Sequence, residues 1–183
     1  GLPELPEGWC WARMEELGGT PDPAIFAGPF GTIFKAKDFR SSGVPIIFLR
    51  HVGPWAYRTQ KPGFMDKEKW EQLFQPYSVF GGELLITKLG DPPGACAIYP
   101  DDAGPAMVTP DVIAMRPNGS VVHKTFLMHF LNSDVARRFV FGAAYGVTRL
   151  RMNLTLLRQM PVPVPPLGEQ LAIAGLADGV VGF

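Results

Sequence analysis

The sequence predicts an α+β fold with a curved, mostly antiparallel sheet and peripheral helices, followed by a proline-rich linker and the start of a further helix. Composition is the first indication, because 46% of the residues are hydrophobic and 11% are aromatic, enough for a buried core. The 21 glycines and 19 prolines are the second, since they favour short elements joined by structured loops. The third is a series of short apolar runs bounded by turn residues, accompanied by a few segments with helical spacing.

The predicted strands are apolar or β-branched runs that end at glycine, proline or acidic turn residues. They cover residues 9–14, 44–49, 82–88, 95–99 and 108–115. Segments 82–88 and 95–99 flank a tight turn, so we expect them to pair as a hairpin. Pro110 has no backbone N–H, so strand 108–115 is expected to lie at a sheet edge or to contain a bulge.

Two further segments lack a clear strand or helix pattern. Residues 25–34 are interrupted by Gly28, Pro29 and Gly31, which predicts a loop. Residues 152–157 are expected to form a short strand or a turn.

Helices are predicted where apolar residues recur at helical spacing after a capping residue. The predicted helices cover residues 66–74, 125–131, 133–142 and a segment that begins at Leu167. Asp66 and Ser133 are the expected N-caps of the first and third. Between the third and the last helix, prolines alternate with valines in 161–166, which excludes a central strand and predicts an extended connector. This divides the chain into a domain at 1–160 and, at 161–183, a linker with the truncated start of a helix.

Charge and the chain's ends narrow the class of protein. The formal net charge is zero, which argues against a protein that coats nucleic acid indiscriminately. Basic residues nevertheless outnumber acidic ones in 31–70 and 103–168, and such stretches form either a phosphate-binding face or ordinary solvated surface. The chain has no long apolar run, no signal-peptide pattern and no paired cysteines, so we expect a cytoplasmic protein with reduced thiols and no membrane contact.

No motif for catalysis, cofactor binding or metal binding is convincing. Residues 91–94 (Asp-Pro-Pro-Gly) are similar to the catalytic motif of adenine-N6 methyltransferases, but Gly94 replaces the aromatic ring that stacks on the target base. We therefore expect a β-turn there. The histidines, His51, His123 and His129, have no ligand spacing for zinc. The sequence predicts no catalytic residue, no cofactor and no metal site.

Basic residues beside flexible loops are the candidates for a nucleic-acid contact. Lysines suit phosphate, and the arginine fork suits phosphate or a guanine edge. Residues on alternate positions of an extended segment point the same way, which would place Arg149 and Arg151 on one face. The candidate DNA-binding residues are Lys35, Lys37, Arg40, Lys88, Thr148, Arg149 and Arg151.

Six short motifs follow each other in an order that resembles one protein family. They are L-P-E-G-W at 5–9, G-P-F-G at 28–31, G-V-P-I-I at 43–47, G-E-L-L-I-T-K-L-G at 82–90, G-V-T-R-x-R-M-N-L at 146–154, and P-V-P-V-P-P-L-x-E-Q at 161–170. Each motif alone is weak. Together, spanning residues 5–170, they resemble one target-recognition domain of the specificity subunit of a type I restriction-modification system.

The resemblance implies a non-catalytic protein that recognises one half of a bipartite site in double-stranded DNA. In that family two such domains are joined by long spacer helices. Modification subunits methylate adenine and restriction subunits translocate and cleave DNA. The resemblance therefore implies duplex DNA, modification subunits and restriction subunits as partners. It also identifies 1–160 as the recognition domain and 161–183 as the linker and the start of the spacer helix.

Two other functions remain open from the sequence. One is a truncated DNA adenine methyltransferase that uses residues 91–93. The other is a protein-interaction module that docks through its proline-rich segment.

Overall fold

The computed structural model describes residues 1–90, 92–143 and 151–182. Short strands dominate the first two thirds of the chain, as the many glycines and prolines predict. The strands are β1 (Cys10–Arg13), β2 (Ile25–Ala27), β3 (Phe39–Arg40), β4 (Val44–Ile47), β5 (Val52–Gly53), β6 (Ala56–Tyr57), β7 (Gly63–Met65), β8 (Ser78–Val79), β9 (Leu84–Thr87), β10 (Cys96–Ile98), β11 (Ala106–Val108), β12 (Val112–Met115) and β13 (Pro161–Val164).

The helices begin mostly where capping residues predict them. They are α1 (Lys67–Lys69), which continues as a π-helical turn (Trp70–Phe74), α2 (Lys124–Leu131), α3 (Asp134–Ala143), α4 (Leu154–Gln159) and α5 (Leu167–Val181). Single 3-10 turns occupy Met14–Leu17, Ala36–Asp38, Leu49–His51 and Gln75–Tyr77. The Asp66 carboxylate accepts the Lys69 N–H at 3.1 Å, and the Ser133 hydroxyl accepts the Ala136 N–H at 3.3 Å, so both predicted N-caps are present.

The described strands form two larger sheets and two ribbons. One sheet has the order β10-β9-β12-β2 and is antiparallel throughout, which includes the predicted hairpin of β9 and β10. The other has the order β3-β7-β4-β11-β8, with a parallel pairing between β4 and β11. The ribbons are β1-β13 and β5-β6. The predicted α+β class is confirmed, and its β part consists of several sheets.

The two larger sheets lie face to face. Side chains alternate along each strand, so that some point into the space between the sheets and their neighbours point away from it. Leu85 of β9 and Val108 of β11 share a core cluster between the sheets. The neighbours Leu84 and Ile86 point to the opposite face, where they pack with residues of α2, α3 and α4. On the far side of the second sheet, Met107 packs against Phe74 and other aromatic rings. Each of the two sheets therefore has packed side chains on both of its faces.

The two ends of the chain are joined in the fold. The proline-rich segment is extended as predicted, but it pairs with β1 as strand β13, with Val162 and Val164 buried. Beyond it, the Glu169 carboxylate accepts a hydrogen bond from the Trp9 indole at 2.8 Å. The linker therefore packs on the body of the domain.

Beyond Glu169, two further polar contacts hold helix α5 to the rest of the domain. Gln170 is fully buried, and its amide accepts the His123 N–H at 2.7 Å and donates to the carbonyls of Val121 and Pro165 at 3.0 and 2.8 Å. Further along, Asp178 Oδ1 lies 2.6 Å from His129 Nε2. The other ring nitrogen of His129 accepts the Trp55 indole N–H at 3.0 Å.

Three segment predictions are wrong. Residues 108–115 do not form one strand, because the chain turns at Thr109 and Pro110 and its halves join different sheets as β11 and β12. Residues 25–27, predicted as loop, form β2 on the first sheet. Residues 152–157 were predicted as a strand or turn, but helix α4 begins at Leu154, after Asn153, whose side chain accepts the Leu156 N–H at 2.7 Å.

Candidate nucleic-acid interface

Loops from both larger sheets meet at one end of the described structure and enclose an open groove of about 840 Å³. One wall is the segment from Phe48 through the β5-β6 ribbon to Arg58. Another is the loop between β9 and β10, and the third is the turn between β11 and β12. Because irregular segments at the ends of rigid strands commonly carry binding residues, this groove is the candidate functional site.

Arg50 is held in a defined position at the groove. Its Nε and Nη2 atoms donate to the Lys61 carbonyl at 3.3 and 2.6 Å, and its guanidinium lies 4.1 Å from the centre of the Phe48 ring. These contacts fix the plane of the guanidinium and leave further N–H groups for a ligand.

Arg58 lies against a glycine in the same groove. A Cβ atom built at Gly53 would be 2.6 Å from Nη2 of Arg58 and 2.7 Å from its Cζ, so the guanidinium occupies space that only glycine leaves open. Within the described parts of the chain, the Arg58 side chain has no hydrogen bond or ion pair. The exposed guanidinium thus lies over the Gly53 backbone with its donors unused.

A neutral histidine shapes the turn that carries Arg50. His51 Nδ1 accepts the Phe48 N–H at 3.0 Å, while Nε2 lies 3.0 Å from the Gln60 carbonyl and so carries the ring proton. Burial lowers the pKa of His51, and the neighbouring Arg50 charge lowers it further, against the raising effect of the Gln60 carbonyl. His51 therefore serves the structure of the groove wall.

Lys88 and Arg151 are brought near each other beside the groove. Lys88 follows β9, is half-buried, and its backbone carbonyl accepts the Met152 N–H at 2.9 Å. Burial lowers the pKa of Lys88, Asp111 acts in the opposite direction, and Arg151 adds to the lowering. Two predicted contact residues that are far apart in sequence thus share one electrostatic environment.

The predicted cluster of Lys35, Lys37 and Arg40 follows Phe34, which lines the groove. All three side chains are exposed. Arg40 Nη1 donates to the carbonyls of Lys37 and Phe39, each at 2.9 Å, and its Nε lies 3.3 Å from Asp66. The structure uses Arg40 to hold its own turn, whereas the lysine charges have no ion pair within the described residues.

Two of the predicted contact residues, Thr148 and Arg149, lie outside the described residues. Asp91 of the Asp-Pro-Pro-Gly segment lies outside them too. Gly94, at the end of that segment, has a positive φ of 86°, and its N–H donates to the Thr87 carbonyl at 2.9 Å.

Other basic residues of the 103–168 stretch have structural roles. Arg116 pairs with Glu83 at 2.9 Å, both side chains being nearly buried, and its guanidinium lies 4.6 Å from the centre of the Phe26 ring. Burial raises the pKa of Glu83, while the Phe80 N–H and Arg116 lower it. Lys124 pairs with Asp101, and Arg158 donates to the Ile25 carbonyl at 3.2 Å. Charge counting alone cannot separate these residues from binding ones.

Sequence reasoning missed Arg50 and Arg58 as individual candidates, although both lie in the basic stretch at 31–70. The sequence did contain one indication, because the turn residues Gly53 and Pro54 lie between the two arginines. Such a pair predicts a loop, and both arginines would flank that loop. The close approach of Arg58 to Gly53 has no such signal, because it depends on the geometry of the β5-β6 ribbon.

Several sequence motifs contact one another. Trp9 of the first motif binds Glu169 of the last, and Met152 of the fifth binds the backbone of Lys88 in the fourth. Gly28 of the second motif packs so closely on Thr109 that a Cβ atom there would lie 2.2 Å from the Thr109 carbonyl carbon. Their co-occurrence in one chain therefore has a structural reason.

Two curated proteins are similar to this chain in sequence. The MjaX specificity subunit of a type I restriction enzyme from Methanocaldococcus jannaschii is 24% identical over 185 residues, covering 98% of this chain and 41% of that protein. The type I restriction enzyme EcoEI specificity subunit from Escherichia coli is 24% identical over 179 residues, covering 93% of this chain and 28% of that protein. The chain thus spans well under half the length of these relatives. No family model matches it.

Solved structures show the same likeness in the fold. The HsdS subunit from Thermoanaerobacter tengcongensis superposes with a TM-score of 0.68 at 18% identity, over 97% of this chain and 38% of that one. A chain from a type I R-M system complex superposes with a TM-score of 0.69 at 19% identity, over 97% of this chain and 39% of that one. The S subunit from M. genitalium superposes with a TM-score of 0.57 at 16% identity, over 93% of this chain and 38% of that one. The resemblance predicted from the motifs is confirmed: in sequence and fold, this chain is similar to one portion of type I specificity subunits.

Metal-binding and membrane-spanning features are both missing from the described ranges. No group of three or more histidine, cysteine, aspartate or glutamate side chains there is arranged to hold a metal ion. Within the same ranges, every helix is too short or too polar to span a bilayer.

Proposed function

We propose that this chain is a DNA target-recognition domain that reads one half of a bipartite duplex site and performs no chemistry. The observation that carries the proposal is the similarity of 93–98% of the chain to one portion of specificity subunits. The groove supports it independently, because Arg50 and Arg58 present guanidinium groups and loops from both sheets converge there.

The proposed partners follow from the same similarity. Duplex DNA is the ligand, modification subunits are the direct protein partners, and restriction subunits join in the full complex. The cytoplasm is the proposed location, because chromosomal and incoming DNA are found there. A formal net charge of zero fits a domain whose affinity for DNA is completed by its partners.

The two alternative functions have less support. A docking role for the proline-rich segment requires an accessible extended strand, but Val162 and Val164 are buried and their segment pairs with β1. A methyltransferase role requires a stacking ring at the end of residues 91–94, where Gly94 has none.

Selection from a random pool of DNA duplexes tests the proposed function. At low salt we expect this chain to enrich a short common sequence, and we expect no methyl transfer when it is incubated with S-adenosylmethionine and the enriched duplex. A pool that remains random after repeated selection would contradict DNA recognition. Methyl transfer that Asp91→Ala abolishes would instead establish the methyltransferase alternative.

A further inference from the structure

We propose that Arg50 and Arg58 form a binding site for a backbone phosphate of DNA in the groove between the β5-β6 ribbon and the β9-β10 loop. This inference deepens the proposed function and rests on it, since it names the chemical group that the groove takes. Neither arginine was singled out by the sequence.

The charges in the groove call for an anion. Arg50 and Arg58 both line it, and among the described residues neither forms an ion pair with a carboxylate. Asp111 is the only acidic residue in the described lining, and its charge acts on Lys88. A phosphate in this concave site would pair with guanidinium charges that no described carboxylate neutralises.

Arg50 is positioned before any ligand arrives, because the Lys61 carbonyl and the Phe48 ring hold its guanidinium. Arg58 is exposed and lies close against Gly53, where no side chain competes for the space. An arginine whose side chain is already ordered loses less conformational entropy on binding than a freely moving one. The arrangement therefore favours a ligand contact over two ordinary surface arginines.

The groove suits a phosphate better than the edge of a base. An arginine fork can bond a guanine edge, but a phosphate also brings the negative charge that these arginines lack, and the lining hydroxyl groups that could help to discriminate bases are not available. The Thr87 hydroxyl accepts the Ala95 N–H at 3.0 Å, and the Thr109 hydroxyl oxygen is occluded from solvent. The arginines thus contribute donors and positive charge to a lining that is otherwise largely glycine, proline and aliphatic.

The test compares DNA affinity as a function of salt concentration for the full chain and three variants. Arg58→Ala and Arg50→Ala each remove one charge from the groove. Arg13→Ala is the charge-matched control, because Arg13 is exposed, pairs with Glu15 at 3.0 Å and does not line the groove. Fluorescence anisotropy is measured with the selected duplex and with a scrambled duplex.

We expect each groove variant to lower the slope of log affinity against log salt by about one unit and to weaken binding about five- to tenfold near 0.1 M salt. The loss should be equal on both duplexes, as a phosphate contact carries no sequence information. Arg13→Ala should retain the slope of the wild-type chain.

Gly53→Ala tests the seating of Arg58 without changing any charge. The added methyl group meets the far end of the flexible Arg58 side chain, so the fold should tolerate it while the guanidinium moves. We expect an unchanged thermal midpoint with affinity reduced in the direction of Arg58→Ala.

The outcomes separate this inference from the proposed function. If the wild-type chain binds DNA and both groove variants behave like Arg13→Ala, the phosphate site is wrong and the proposed function stands. If Arg58→Ala weakens only the selected duplex, the groove reads a base and the phosphate assignment is overturned. If the wild-type chain binds neither duplex, the proposed function itself fails.

Discussion

Lys88 lies where three segments of the candidate interface meet. Its N–H donates to the Asp111 carbonyl at 3.0 Å, and its carbonyl accepts the Met152 N–H at 2.9 Å. Lys88 directly follows the last residue of β9, and its side chain is half-buried. Burial lowers its pKa, with Asp111 opposing and Arg151 assisting the shift. A lysine in this position loses its charge at a lower pH than an exposed lysine does.

A DNA contact by Lys88 would make binding depend on alkaline pH. A bound phosphate favours the charged lysine and raises its pKa, so binding takes up a proton at pH values between the two pKa values. We therefore expect the affinity of the wild-type chain to fall as pH rises through the lowered pKa of free Lys88. Anisotropy titrations from neutral to alkaline pH measure this fall.

Lys88→Arg is the control for this pH dependence. Arginine keeps its charge throughout the range, so the variant should bind with an affinity that falls less steeply. Identical pH profiles for the two proteins would remove Lys88 from the interface.

At the same scale, the sequence indicated which residues are basic but not how the fold uses them. Arg40 stays a predicted DNA contact, and the sequence did not show that its guanidinium is also held by two carbonyls and by Asp66, which is distant in sequence. Arg58 was not singled out, because its seat on Gly53 exists only once the ribbon has formed.

Among the elements, helix α5 carries one polar side chain that is fully buried, Gln170. Replacing Gln170 with alanine leaves the His123 N–H and the carbonyls of Val121 and Pro165 without partners in a site closed to water. We expect Gln170→Ala to lower the free energy of unfolding by about 3 kcal/mol, as measured by urea denaturation. Leu171→Ala, on the exposed side of the same helix, should change it by less than about 1 kcal/mol. Equal effects of the two substitutions would contradict this role for Gln170.

Leu176 and Val180, one helical turn apart, form an exposed apolar face on α5 and are 76% and 87% exposed. Ile173, which the sequence placed in the same stripe as Leu171, packs against the domain. We expect a longer chain that continues this helix to self-associate or to capture modification subunits, and the double substitution Leu176→Lys and Val180→Lys to weaken that association.

Sedimentation velocity measures this association. Val135→Lys, at another exposed apolar position, on α3, is the matched control and should leave it unchanged. A longer chain that stays monomeric and ignores the subunits would contradict the role of the face.

Elements were predictable where the local signal was complete. The Asp66 cap, the hairpin of β9 and β10, and the start of α5 were all confirmed. Pro110 marked an interruption, but only tertiary packing decides that the two flanking halves enter different sheets. The start of α4 was missed although Asn153 precedes a run of good helix formers, so its capping signal was available.

In the whole molecule, the layers place all the groove-forming loops at one end. The α+β class was predictable from the sequence, because composition and the spacing of apolar residues depend on neighbouring residues in the chain. The groove was not predictable, because its walls come from segments near residues 50, 90 and 110. These segments meet only through the pairing of β4 with β11 and of β9 with β12.

Gln170 and Asp178 hold α5 at two positions along its axis, with Ile173 packed on the domain and Ala174 buried between them. Gln170 and Asp178 are eight residues apart, about 12 Å along the axis. Each ångström of play at Asp178 would tilt the axis by about 5°. A point roughly 40 residues beyond Asp178 on a continued helix would then shift by about 6 Å, more than the roughly 3.4 Å rise of one base pair. In such a helix the hydrogen bond between His129 and Asp178 would limit this tilt, and through Trp55 the same chain of contacts reaches the β5-β6 ribbon of the groove.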